Sequence, residues 1–255
     1  MRTVAVVQAR MGSTRFPGKV LADLRGRPLL AHVVSRVQRS RCVDTVVVAT
    51  STAPGDDAVA TMAESLGAAA VRGPEEDVLA RFVIAAREHH ADVVVRITAD
   101  CPLLDPRIVD RVVHALRRDD ADYACNIVPP TYPDGYDVEA FTAACLARMD
   151  SEATLAYERE HVTPRAREHP NRYRVAMVRC RRDLSAVRLT VDVPADLDRI
   201  AAILTALPSD PPPGLGAVLA HLQRTPSLSM QKGLPQRDER YLAQRSAAGR
   251  EETSA

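Results

Sequence analysis

The sequence predicts a three-layer α/β protein with a mostly parallel sheet, and a few observations carry that reading. Short β-branched runs alternate with stretches whose apolar residues recur at helical spacing. Two of the runs, Val46-Val-Val48 and Val93-Val-Val95, are uninterrupted, which suits strands covered on both faces. The first run, from Val4 to Val7, breaks directly into Gln8-Ala-Arg-Met-Gly-Ser-Thr-Arg-Phe-Pro-Gly-Lys19. In parallel sheets ligands bind beyond such strand ends.

In chain order, residues 3–8 read as a strand and 29–39 as a helix. A strand follows at 45–50, then a helix at 57–66 with Asp56 or Asp57 available as its cap. Residues 69–72 and 93–98 are strands flanking a helix at 78–88. Pro106 suits the first turn of a helix over 106–118, and 123–126 is a further strand. The segment 128–157 carries Pro129, Pro130, Pro133 and Gly135, so it is expected to project from the sheet as a substrate-facing insertion. Strands at 174–178 and 188–191 and a helix at 195–207 complete a domain over 1–207. Ser209-Asp-Pro-Pro-Pro-Gly214 then opens an extension over 208–255, with a short helix at 216–224 and a disordered end at 247–255.

Composition narrows the function. The chain has 255 residues, enough for one sizeable core, and a net charge of +1, so no global basic field draws it to nucleic acid. Aromatic residues make up 4% and Trp is absent, which argues against a base-stacking surface. The five cysteines, Cys42, Cys101, Cys125, Cys145 and Cys180, form no C-x-x-C pair, which disfavours zinc or a disulfide framework and fits a reducing cytoplasm. No signal peptide or membrane span is expected, because the first apolar run ends at Gln8.

Anion binding must then be local, and the loop after the first strand is equipped for it. Gly12, Ser13 and Gly18 let backbone N–H groups approach anionic oxygens, while Arg10, Arg15 and Lys19 supply cations suited to a polyphosphate. The spacing Gly12-x5-Gly18-Lys19, followed by Val20, excludes a Walker A loop. Two more strand ends carry carboxylates: Asp100 before Cys101-Pro102, and Asp192 before Val193-Pro194. Mg²⁺ takes one or two protein carboxylates together with substrate phosphates, which this pair could supply. The plainer alternative for each is a helix N-cap, most of all for Asp192.

These residues resemble a family. The loop from Gln8 to Lys19 resembles that of the acylneuraminate and KDO cytidylyltransferases, and more closely that of spore coat polysaccharide biosynthesis proteins of the SpsF type. Arg72-Gly-Pro-Glu-Glu-Asp-Val-Leu-Ala-Arg81, Arg96-Ile-Thr-Ala-Asp-Cys-Pro-Leu104, Tyr132-Pro-Asp-Gly-Tyr-Asp-Val-Glu139, Arg159-Glu-His-Val-Thr-Pro164 and Leu189-Thr-Val-Asp-Val-Pro-Ala-Asp-Leu197 match in the same order. Arg237-Asp-Glu-Arg-Tyr-Leu242 matches more loosely. The resemblance implies a Rossmann-like fold of the nucleotide-diphospho-sugar transferase (GT-A-like) type. It implies transfer of CMP from CTP to an acidic or amino sugar with release of pyrophosphate, one or two Mg²⁺ ions, and a homodimer.

It also implies site roles. Arg10, Lys19 and Asp100 would be catalytic, with Asp100 and Asp192 holding metal. Gln8, Ala9, Met11, Gly12, Ser13, Arg15, Thr98 and Ala99 would join Arg10 and Lys19 around the nucleotide. Asp77 and Arg81 fall where relatives contact the nucleoside, though their spacing equally suits an exposed helix pair. By their own chemistry, Tyr132, Asp134, Asp137 and Glu139 around Gly135 suit acceptor hydroxyls, with a plain surface turn as the alternative; Asn126 at a strand end faces the same side, and Glu160 with His161 could orient the acceptor or serve as general base. Phe16 stands where the family more often has leucine, and the acceptor-recognition segments of the KDO and neuraminate enzymes are missing. A sugar phosphate or phosphonate acceptor therefore stays open, as does a GT-A glycosyltransferase that consumes a nucleotide sugar. Against the last, the metal strand reads Ala99-Asp100-Cys101-Pro102 without the usual Asp-x-Asp.

Overall fold

The structure, a computed structural model, describes residues 1–229, 237 and 239–252. Seven strands form one sheet: β1 (Thr3–Gln8), β2 (Thr45–Ser51), β3 (Ala69–Gly73), β4 (Val93–Thr98), β5 (Tyr123–Cys125), β6 (Glu139–Thr142) and β7 (Val175–Met177). Their order is β3-β2-β1-β4-β6-β5-β7, and every pairing is parallel except those of β6.

The central strands are apolar on both faces because helices cover both. Ala5 and Val7 of β1 enter one core with α1 (Leu29–Val37), α2 (Asp57–Ser65), α4 (Pro106–Arg118), α8 (Pro194–Thr205) and α9 (Leu215–Arg224). Val4 and Val6 enter the other with α3 (Val78–Glu88), α5 (Ala143–Glu152) and α7 (Pro164–Glu168). Two elements stand at the rim above β4 and β6: α6 (Ala156–His161) and α10 (Glu239–Glu252). The three-layer, mostly parallel reading of the sequence holds.

The differences lie after residue 126. Residues 128–157 do not stand off the sheet: Glu139–Thr142 is β6, inserted between β4 and β5, and α5 packs against the core behind it. Tyr132 and Tyr136 are buried, and the Asn126 side chain holds the approach to β6. Its Nδ2 donates to Tyr136 O (2.7 Å) and its Oδ1 accepts from Val138 N (2.8 Å). The expected strand over 188–191 pairs with none of the seven strands; its one β-bridge joins Arg188 to Asp134. That crossing requires Gly135, whose φ is +101° and whose Cβ would lie 2.7 Å from Leu189 C. The expected disorder over 247–255 is also corrected, since α10 continues to Glu252; residues 253–255 lie outside the described residues. Asp56 occupies the cap position of α2, but its carboxylate turns elsewhere.

Candidate active site

Asp56 turns to the loop after β1. Its Oδ1 accepts from Met11 N (2.7 Å), and its Oδ2 accepts from Ser51 N (3.0 Å) and the Ser51 hydroxyl. Burial alone would raise this carboxyl, but the hydrogen bonds from Ser51 and Met11 hold it below its ordinary value. The loop is thus anchored to the end of β2 by a group that sequence reasoning took for a helix cap. Met11 O in turn accepts from Ser13 N (2.8 Å) and Gly18 N (3.0 Å), and Gly18 at φ +72° sends the chain into the turn that begins at Lys19.

Lys19 stands at the centre of the site. Its Nζ lies 3.2 Å from Asp100 Oδ2, 3.0 Å from Asp192 Oδ1 and 2.8 Å from Val191 O. Burial works against the ammonium, yet the two carboxylates outweigh it and raise its pKa. Asp100 is likewise held low: burial pushes it up, and Lys19 with hydrogen bonds from Thr98 and Cys101 overcomes that. Neither carboxylate caps a helix. Asp105 caps α4 through Arg107 N (3.0 Å). At α8 the fully buried Asp196 accepts from Asp192 N (2.8 Å) and Val193 N (3.1 Å). Arg188 then ties Asp196 (2.6 Å) to Asp192 (2.7 Å), and Val191 N donates to Asp100 O (3.0 Å), so the two strand ends are locked side by side.

Two convergent carboxylates already sharing one cation form a hard oxygen donor set, which fits Mg²⁺. Among the described residues no cluster of three or more His, Cys, Asp or Glu could hold a metal, so phosphate oxygens and water would complete the shell. Arg15 flanks the pair, 3.5 Å from Asp192 and 3.2 Å from Glu239, while Arg10 reaches Glu75 (3.5 Å) and Glu76 (4.0 Å) across the loop. Burial pushes the Cys101 thiol well up, so it is no nucleophile.

On one side of this centre lies Arg81. It is 2% exposed and lines the cleft, yet among the described residues neither its Nε nor its Nη1 has a hydrogen-bond partner. Burial lowers its pKa, and Gly73 makes room for it: a Cβ there would sit 2.9 Å from Arg81 Cγ. Asp77 does not join it. It caps α3 through Ala80 N (2.8 Å) and pairs with Arg159 (2.6 Å), outside the cleft lining.

On the other side, Arg96 and Glu139 face each other across β4 and β6 and form an ion pair. Arg96 also donates to Gln8 Oε1 (3.0 Å), and Glu139 accepts from Tyr123 OH (2.6 Å) and the Thr163 hydroxyl. Burial would raise Glu139; Arg96 foremost among these partners holds it low. Asp134 ends up differently: burial outweighs Arg237 and Arg188 and lifts its pKa to about 6. Asp137 pairs with Arg237, and Glu160 with Arg240 (2.7 Å), both cations coming from the C-terminal extension. His161 meets Gln244 of α10. Asn126 and Tyr132, expected to face the acceptor, do not line the cleft. Tyr132 is 1% exposed, and its hydroxyl accepts from Arg111 Nη1 (3.3 Å).

The cleft encloses about 550 Å³ and runs from Arg81 past Gln8, Ala9, Thr98 and Ala99 to His161. Arg96, Arg167, Arg237, Arg240 and Asp196 were given no site role from the sequence, and Asp56 only that of a helix cap; the position of Arg96 near the end of a buried strand could have signalled it. Among the described residues no helix is long and apolar enough to cross a membrane.

A mostly parallel sheet with a cationic loop after its first strand and two carboxylates meeting at one lysine is the architecture of a nucleotidyltransferase, the class to which the comparisons assign the chain. The sequence profile of the family described as Cytidylyltransferase matches residues 4–212. The chain is 33% identical to the spore coat polysaccharide biosynthesis protein SpsF of Bacillus subtilis, over 89% of this chain and 96% of that one. It is 36% identical to a 3-deoxy-manno-octulosonate cytidylyltransferase of Anaeromyxobacter sp., over 82% of this chain and all of that one. A solved cytidylyltransferase from Leptospira borgpetersenii superposes with a TM-score of 0.87 at 30% identity, covering 92% of this chain and 99% of that one. The chain belongs to the cytidylyltransferase family and is a CTP-dependent nucleotidyltransferase.

Proposed function

We propose that this enzyme, with residues 1–207 as its catalytic unit, transfers CMP from CTP to a hydroxyl of an acidic or amino sugar and releases pyrophosphate. The observation that carries the reading is Lys19 set between Asp100 and Asp192 at the mouth of the cationic loop. Arg10, Arg15 and Lys19 bind the triphosphate beside Gly12, while the N–H groups of Met11 and Ser13 hold the loop's shape through Asp56 and Met11 O; positioning and charge supply most of the catalysis. Asp100 and Asp192 would hold Mg²⁺, which would supply polarisation of the α-phosphate and neutralisation of the leaving group. The acceptor oxygen forms its bond to the α-phosphorus as the bond to the β-phosphate breaks.

Arg81 supports cytosine as the base. An arginine only donates, and cytosine presents acceptors at both O2 and N3, whereas uracil presents an N3–H donor. The unpartnered, buried Nε and Nη1 of Arg81 therefore favour CTP over UTP. Asp134, Asp137, Glu139, Glu160 and His161 line the opposite end, where an acceptor with several hydroxyls finds partners.

The test incubates the full chain with Mg²⁺, each nucleoside triphosphate and 3-deoxy-manno-octulosonate among a panel of acidic and amino sugars, and measures pyrophosphate. CTP alone should support release. Asp100→Asn should reduce it by at least ~10²-fold without unfolding. Equal turnover with UTP, or full activity of Asp100→Asn, would refute the proposal.

A further inference from the structure

The family match ends at residue 212, yet the cleft is closed on its acceptor side by residues from α10. Gln244 of the same helix is not itself in the lining but bonds two residues that are, Glu160 and His161. Its Nε2 lies 2.6 Å from Glu160 Oε2, and its Oε1 lies 2.7 Å from His161 Nε2. An ionised carboxylate only accepts, so the amide NH₂ must face Glu160. The amide oxygen then faces the ring, and it too can only accept. His161 Nε2 must therefore carry a proton, and in the neutral ring the bare nitrogen is Nδ1.

The surroundings keep the ring neutral. It is packed edge-on to Tyr241 at 5.2 Å, and the charged groups around it are Arg96 from β4, Glu160 from α6 and Arg167 from α7. Burial lowers the imidazole pKa from its ordinary value; Gln244 and Glu160 raise it, Arg96 and Arg167 lower it, and the net direction is down. Arg167 is itself fixed over the Tyr241 ring, 3.8 Å from its centre. α10 thus settles both the tautomer of His161 and the placement of its cationic neighbour.

We propose that Gln244 is a positioning residue that holds His161 as the Nε2–H tautomer, so that Nδ1 receives the proton of the attacking acceptor hydroxyl. As the new O–P bond forms, the O–H bond breaks and its proton passes to Nδ1. Pyrophosphate leaves with the electron pair of the broken P–O bond, and the imidazolium returns its proton to solvent after product release. His161 is then the catalytic base, and its protonation pattern is set from outside the family-matched segment. This inference rests on the cytidylyltransferase reading of the cleft.

Two measurements on the full chain test it. In ¹⁵N NMR of histidine-labelled protein, with His161→Gln assigning the resonance, wild-type His161 should be neutral at pH 7 with its proton on Nε2. Gln244→Leu should let both tautomers appear. A proton on Nδ1, or a spectrum unmoved by Gln244→Leu, overturns the proposal. The second measurement is the pH profile of pyrophosphate release from CTP and 3-deoxy-manno-octulosonate. Gln244→Glu keeps an oxygen for Nε2–H and adds charge that favours imidazolium, so the acidic limb should move to higher pH with KM for CTP unchanged. Gln244→Leu should lower kcat/KM for the sugar by about 3–10-fold, one hydrogen bond's worth, and His161→Gln should lower kcat by about 10²-fold. Turnover with an unmoved acidic limb in Gln244→Glu overturns the role of Nδ1 while leaving the cytidylyl transfer intact. No release by wild type with any acceptor tried overturns the transfer reading, and with it that role, even where NMR finds Nε2–H.

Discussion

Asp134→Asn should make the protein more stable at neutral pH, although it removes a carboxylate from the cleft. Asp134 is 8% exposed, and Arg188 Nε stands 3.8 Å from its carboxylate. Arg188 spends its other nitrogens on Asp192 and Asp196. Burial therefore dominates, and the folded protein holds the Asp134 proton to about pH 6 against an ordinary value of 3.8. A carboxyl that binds its proton more tightly when folded gives its full stability below the unfolded value and loses it as pH rises through the folded one. Between pH 4 and 6 the wild type should lose on the order of 3 kcal/mol on this account, at 1.36 kcal/mol per pH unit of displacement. Asparagine is isosteric and neutral, and the backbone bonds of residue 134 to Val187 and Leu189 are untouched. Urea unfolding of both proteins at pH 4.5, 6 and 7.5 should give curves that converge at the acid end and separate in favour of Asp134→Asn at the alkaline end. A variant less stable than wild type at pH 7.5, or a difference independent of pH, would show that the Arg188 and Arg237 attractions outweigh burial.

Gly135→Ala should destabilise the fold by about 3 kcal/mol, combining a disfavoured φ with a Cβ 2.7 Å from Leu189 C; an unchanged melting temperature would count against the close crossing. Lys19→Met should leave Asp100 and Asp192 without their shared cation, costing about 3 kcal/mol in the absence of divalent ions. Millimolar Mg²⁺ should raise the melting temperature of Lys19→Met more than that of wild type, while CTP turnover stays at least ~10²-fold down. Equal Mg²⁺ responses would remove the two carboxylates as a cation site.

The parts legible in sequence were those dictated by local pattern. Doubly covered strands announce themselves as valine runs; Asp100 and Asp192 drew notice because each follows such a run or an extended segment like it, and Lys19 because it ends the glycine-bearing loop after one. β6 was missed because Glu139-Ala-Phe-Thr142 is short and follows a stretch dense in proline and glycine, which mimics a surface loop. Residues 188–191 misled for the opposite reason: Leu189 and Val191 are buried and β-prone, but they pack into the core without pairing to a strand. Long-range partners left no local trace. Nothing around Asp56 tells that its carboxylate spans to Met11, and nothing around Arg237, Arg240 or Gln244 tells that they return to Asp137, Glu160 and His161.

The reversed direction of β6 divides the cleft into halves of opposite descent. The loop at 9–19 and Asp100 lie where chain departs from strands, whereas Asp134, Asp137 and Glu139 lie where chain arrives at one. Because arrival and departure fall on different stretches of polypeptide, the loop proposed to hold triphosphate and the wall proposed to face the acceptor can be lengthened, shortened or exchanged one at a time. A graft of 128–138 from a relative with another acceptor would keep the valine runs, their registers and Lys19 in place, giving a modular route to new CMP-linked products.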